Sequence, residues 1–90
     1  MTSYLLSYDL NKTKDYQKLY DELERLDGHR TQASVWLIAV NNTAGELKDH
    51  LENFIDDDDS LWVLEVTKNN ARKMARKGTN DWLKANPPSR

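Results

Sequence analysis

The chain has no cysteine, only three glycines and only two prolines in 90 residues. Without cysteine there is no disulfide and no thiolate metal site, and a reducing compartment is permitted but not required. Two histidines, His29 and His50, are too few to build a zinc centre. No Gly-rich loop is present to hold a small ligand. No run of about 18 apolar residues exists, so no membrane-spanning helix is expected. The first residues lack the basic-then-apolar layout of a secretory leader. These absences lead to the expectation of a soluble, cytoplasmic, single-domain protein, large enough for one small core.

Charge is present but unevenly placed. The net charge is -2. Residues 1–67 carry 6 Lys/Arg against 14 Asp/Glu, or -8, whereas residues 68–90 carry 7 Lys/Arg against Asp81 alone, or +6. An acidic body with a basic extension points to a negatively charged partner for the tail, or to the tail lying on the acidic body itself.

Periodicity organises the body. Tyr4, Leu6 and Tyr8 alternate with Leu5, Ser7 and Asp9, as in a strand with one face on a core. Tyr16, Leu19, Tyr20, Leu23 and Leu26 mark one stripe of a helix, with Lys and Glu behind it, Thr13 as a candidate cap and Gly28 as its left-handed stop. Residues 29–40 read as extended, with a tight turn near Ala33. Thr43-Ala44-Gly45-Glu46 fits a capping box, opening a second helix that carries Leu47, Leu51, Phe54 and Ile55. Asp56 to Asp59 reads as a solvated turn, lacking the spacing of a calcium loop. Leu61 to Thr67 reads as a last strand. The order β-α-β-β-α-β predicts an α+β, ferredoxin-like sandwich over residues 1–67. Residues 68–90 form a basic C-terminal extension, with a short helix holding Trp82 and Leu83.

Helices on one side of such a sheet leave the other side bare. Yet Trp36, Ile38 and Val40 oppose Val35, Leu37 and Ala39, and Trp62, Leu64 and Val66 oppose Leu61 and Val63. Both faces need cover. The expected remedy is a homodimer pairing its open faces; the alternative is the tail folding across its own sheet with Trp82 as the plug.

Asp9, at the end of the first strand, is the sharpest chemical candidate. Magnesium uses one or two carboxylates with water and substrate phosphate, and a two-fold pair of Asp9 residues would suit it for phosphodiester cleavage. Arg30 and Ser34 are candidates to touch the same phosphate. The plainer roles are a loop cap for Asp9 and an ion pair with the first helix for Arg30. Ser34 has no His-Asp partner to make it a nucleophile. His29 and His50 read as surface residues. In the tail, Lys68, Arg72, Lys73, Arg76 and Lys77 are candidates to follow an RNA or DNA backbone. Trp82 is the only aromatic residue near them in sequence, so base stacking has little support from the tail alone.

Tyr8-Asp9-Leu10, Gly28-His29-Arg30-Thr31-Gln32-Ala33-Ser34-Val35-Trp36 and Asp59-Ser60-Leu61 together resemble the CRISPR-associated Cas-two family and its stand-alone relatives. The resemblance covers residues 3–67. It implies a ferredoxin-like fold, a homodimer joined through its sheets, a divalent metal at Asp9, and activity or phosphate contact at Arg30 and Ser34. It also implies two roles known in the wider family: metal-dependent endonuclease on RNA or DNA, and non-catalytic nucleic-acid scaffold. Trp36 stands where the family usually has Phe, and Thr79-Asn80-Asp81-Trp82-Leu83-Lys84 looks more like the stand-alone relatives.

Overall fold

A computed structural model describes residues 1–10 and 16–90. It contains β1 (Thr2–Asp9), α1 (Gln17–Arg25), β2 (His29–Gln32), β3 (Val35–Val40), α2 (Ala44–Leu51) continuing as a 3-10 turn (Glu52–Phe54), β4 (Ser60–Glu65) and α3 (Thr79–Ala85). The four strands form one antiparallel sheet in the order β2-β3-β1-β4. That is the ferredoxin-like, α+β arrangement expected from the sequence. Among the described residues no helix is long and apolar enough to cross a membrane.

Strand alternation decides which residues make the core. Tyr4, Leu6 and Tyr8 of β1 lie beside Trp36 and Ile38 of β3, and all are buried with Leu19 and Leu23 of α1 and Leu47 and Leu51 of α2. The proposed Thr13 cap lies outside the described residues. Thr43 and Glu46 do form the capping box: Glu46 N–H donates to Thr43 Oγ1 at 3.2 Å, and Thr43 N–H donates to Glu46 Oε1 at 2.9 Å.

Gly28 plays a different part from the one expected. Asp27, not Gly28, takes the left-handed conformation, with φ of 57°. The Asp27 and Gly28 N–H groups donate to Glu24 O and Leu23 O, both at 2.9 Å, in a Schellman closure of α1. Glycine is needed at position 28 because the chain passes close to β3. A Cβ there would lie 2.4 Å from Ile38 Cδ1 and 2.8 Å from Leu23 O.

The polar back of α1 is also not wholly solvated. Glu22 is buried, and its carboxylate accepts from Arg25 Nε and Nη2 at 2.7 and 2.6 Å and pairs with His50 of α2. His50 therefore ties the two helices together. The Arg25 hydrogen bonds hold the Glu22 carboxyl at about 2, with burial opposing them and His50 assisting. A carboxyl depressed on folding contributes its stability fully above its ordinary value of 4.5 and loses it as pH falls through about 2. Glu22→Gln is expected to cost about 1–3 kcal/mol at neutral pH. It should also flatten the acid limb of stability below pH 4.5. Thermal melts of both proteins across that range check this.

After β4 the chain turns back over its own sheet. Val66 N–H donates to Ser3 O at 2.9 Å, extending the β4 pairing. Arg76 N–H then reaches Thr31 O at 2.9 Å, where a bulge between Arg30 and Gln32 leaves the β2 backbone out of step with β3. Gly78 supplies a left-handed turn, φ of 95°, into α3. The buried Thr79 hydroxyl donates to Arg76 O at 2.7 Å and lies 2.8 Å from Thr31 Oγ1 and 3.0 Å from His29 Nε2. His29 is thus a half-buried strand residue holding the tail rather than a surface turn residue. Trp82 does not plug the face. Its indole N–H donates to Asp27 O at 3.0 Å, at the corner between α1 and β2, and Leu83 reaches the sheet in its place.

Candidate nucleic-acid interface

Asp9 is exposed at the end of β1. Its ladder partner on β4 is Ser60, and the preceding residue, Tyr8, donates its N–H to Ser34 O at 3.1 Å across the β2–β3 turn. One end of the sheet therefore gathers Asp9, Ser34 and Ser60. Alternation along β1 places Asp9 on the side of Leu5 and Ser7, opposite the helices. Among the described residues, none hydrogen-bonds to or ion-pairs with the Asp9 carboxylate. Ser34 is exposed at the turn, so its hydroxyl borders the same end.

Arg30 is not brought to that face. Its guanidinium lies over the Tyr20 ring of α1, 5.0 Å from the centroid, on the helix side of the sheet. Nε and Nη2 donate to Ala33 O at 3.1 and 2.5 Å. Among the described residues Arg30 makes no ion pair with α1; it braces the turn that carries Ser34. Tyr20 in turn stacks on Trp36 at 6.4 Å and 13°, and Trp36 Nε1 donates to Tyr8 Oη at 3.2 Å. Burial pushes the Tyr8 phenol up, against the Trp36 hydrogen bond and the Arg30 charge. This aromatic block backs the Asp9 end.

The tail brings cations to the same face as Asp9. Between sheet and tail lies a cavity of about 560 Å³, floored by Leu5, Ser7, Val35, Leu37 and Leu64 and bordered by Arg72, Lys73 and Leu83. Arg72 is held by Asn80 Oδ1, at 3.1 and 2.7 Å, and by Asn70 Oδ1 at 2.9 Å. Lys68, Lys73, Arg76 and Lys77 are exposed. Leu37 is covered, at 3% exposure, but Trp62 and Leu64 at the β4 edge remain 71% and 42% exposed. The even-numbered face of β4, read from sequence as needing cover, is covered only in part.

The Asp56–Asp59 turn is more convergent than its spacing suggested. Carboxylate oxygens of Asp56, Asp58 and Asp59 lie within 4.8 Å of one another. Asp59 is also engaged in shaping the turn, accepting from the Tyr16 hydroxyl at 3.0 Å and from Asp56 N–H at 2.8 Å. Asp9 is not one of its members.

Sequence reasoning missed Trp62, reading it as one residue of a core strand. The signal was present in the alternation: Trp62 and Ser60 share a face, and Ser60 pairs with Asp9. The Thr79 contacts with His29 and Thr31, 50 and 48 residues away, had no local signature.

The family model for CRISPR associated protein Cas2 matches residues 1–74, and the chain belongs to that family. The match ends inside the tail, at Met74, so α3 lies beyond it. No solved structure gives a significant match. Family membership assigns the chain a role connected with nucleic acid.

Proposed function

We propose that this member of the family is a magnesium-dependent endonuclease whose reacting end is Asp9, with Ser34 beside it. The observation that carries this is the placement of an exposed carboxylate, at a strand end, on the sheet face that the tail cations Arg72 and Lys73 also border. The donor set fits the ion. Magnesium favours hard oxygen ligands and binds through one or two carboxylates, its remaining positions taken by water and phosphate. Asp9 would hold it. When bound, the ion neutralises charge on the phosphate and lowers the pKa of a coordinated water. The Ser34 hydroxyl donates to a phosphate oxygen and fixes its orientation. Arg30 acts indirectly, holding the Ala33 carbonyl and so the turn. Lys68, Lys73, Arg76 and Lys77 track the flanking backbone.

Cleavage of RNA and DNA with and without magnesium, beside Asp9→Ala, tests this reading. Equal cleavage by the two proteins removes Asp9 from the mechanism. Binding should depend steeply on salt. Replacing Lys73 and Lys77 with alanine is expected to lower the slope of log affinity against log salt by about 0.7 per cation on a single strand.

The exposed Trp62 and Leu64 favour a second reading, a homodimer joined through the open faces. It would work as a non-catalytic scaffold, or with two Asp9 residues sharing one ion. That pairing requires the tail to leave Leu37 or to be accommodated between subunits. Sedimentation of the full chain over a range of concentrations distinguishes it from the single-chain arrangement.

A further inference from the structure

The helix side of the sheet carries a cleft that the endonuclease reading leaves unused. It lies between the end of α1 and α2, beside the end of β3, and measures about 260 Å³. Leu26, Val40 and Leu47 give it an apolar lining, and Arg25, Glu46 and His50 supply charged and polar groups. Glu46 and His50 are one turn apart on α2, so they stand next to each other, with Cβ atoms about 5–6 Å apart. Arg25 approaches from the last turn of α1. A buried carboxylate sets two of these three groups. Glu22, its side chain only 9% exposed, binds both Arg25 and His50.

The hydrogen bonds already made decide what each group can still offer. Arg25 uses Nε and Nη2 on Glu22, which leaves the donors on Nη1. The Glu22 carboxyl, held at about 2, is ionised at neutral pH and can only accept. His50 Nε2 therefore carries the hydrogen between them. A neutral His50 in that tautomer has Nδ1 as an acceptor. Glu46 uses Oε1 on the Thr43 N–H, which leaves Oε2. Among the described residues, Arg25 Nη1, His50 Nδ1 and Glu46 Oε2 have no hydrogen-bond partner. The cleft thus combines two acceptors on α2, one of them anionic, with a cationic donor on α1 and an apolar lining.

We propose that this cleft binds a free α-amino acid with an apolar side chain. The ammonium group sits between Glu46 Oε2 and His50 Nδ1, the carboxylate on Arg25 Nη1, and the side chain against Leu26, Val40 and Leu47. An α-amino acid carries both charges on one carbon, which suits partners gathered within a single helical turn. The volume is just below the roughly 300 Å³ at which small-molecule sites usually begin, and so suits a ligand of that size. The cleft lies on the opposite side of the sheet from Asp9, and its occupancy is measurable without metal, nucleic acid or cleavage.

The test follows the backbone amide resonances of the full chain by NMR at about pH 8, where an ordinary imidazole is neutral. L-Leucine should shift the amides around the cleft and saturate them. L-Leucinol, which lacks the carboxylate, and 4-methylpentanoate, which lacks the ammonium group, should each bind about 10- to 150-fold more weakly, the effect of losing a charge-assisted hydrogen bond. Glu46→Gln keeps an oxygen for the capping box and removes the charge. It should weaken leucine by a similar factor without weakening 4-methylpentanoate or lowering Tm. No shift with leucine at about 10 mM, enough to fill a site with a Kd of about 1 mM, overturns the proposal. So does unchanged leucine affinity in Glu46→Gln. Equal affinities for the three ligands would make the cleft a general apolar pocket and overturn it too. A tripeptide ending in leucine that binds as tightly as leucine would assign the cleft to a protein C-terminus, with the same consequence.

Discussion

Replacing Asp9 with alanine is expected to reduce magnesium-dependent phosphodiester cleavage by at least ~100-fold, within the range seen when an essential catalytic group is removed. The fold should not notice. Asp9 is exposed at the last position of β1, and the ladder it belongs to is held by backbone bonds and by its buried neighbours Tyr8 and Leu6. Surface changes of this kind shift stability by about 0.5 kcal/mol or less. Nucleic-acid affinity measured in EDTA should also survive, because the cations lie elsewhere, on the tail. A large loss of cleavage with unchanged melting and unchanged metal-free binding is the pattern expected. Loss of all three together would mean that Asp9 holds the strand end rather than an ion.

Gly28→Ala is expected to destabilise the protein by about 3 kcal/mol, at the upper end of overpacking costs. One methyl group would have to fit 2.4 Å from Ile38 Cδ1 and 2.8 Å from Leu23 O. Ile38 is fully buried and has little freedom to turn away. Leu23 O already accepts the Gly28 N–H that closes α1, so moving it opens the helix end. In a domain of this size each kcal/mol lowers Tm by about 4–8 °C, an effect plain in thermal or urea unfolding. A cost near zero would show that α1 and β3 can separate without loss. Because Gly28 has no positive φ, the penalty is steric, and it should grow again in Gly28→Val.

The fold was legible because its strongest signals are local. Alternation at Tyr4, Leu6 and Tyr8, the stripe from Tyr16 to Leu26, and the Thr43–Glu46 box each fix one element without reference to the others. The two-residue turn at Ala33-Ser34 is likewise where extended residues meet small polar ones. What the sequence could not show is where elements meet. Nothing local to Glu22 says that His50 will cover it, since α1 and α2 become neighbours only on the sheet. Gly28 reads as a helix stop because a glycine after a helix usually is one; only the proximity of Ile38 shows that Asp27 carries the turn. Arg30, adjacent in motif to Ser34, was read with it, but strand alternation and the Tyr20 ring send its guanidinium to the opposite face.

The tail shows the same limit. Its charge announced a partner, and its composition allowed either an outside partner or its own sheet. The latch that settles its path combines Thr79, His29, Thr31 and a bulge in β2, none of them a motif. Trp82 looked like the plug because it is large and apolar, but its indole N–H needs an acceptor when partly buried, and Asp27 O provides one at the edge of the sheet. The smaller Leu83 faces the cavity in its place. The covering of Leu37 and exposure of Trp62 follow from that choice.

A crystal of the full chain soaked in manganese, with anomalous scattering measured at the manganese edge, tests the account at its centre. The account predicts a peak at the Asp9 carboxylate, beside Ser34, that is absent from crystals of Asp9→Asn. Manganese at the Asp56, Asp58 and Asp59 carboxylates with none at Asp9 would contradict it.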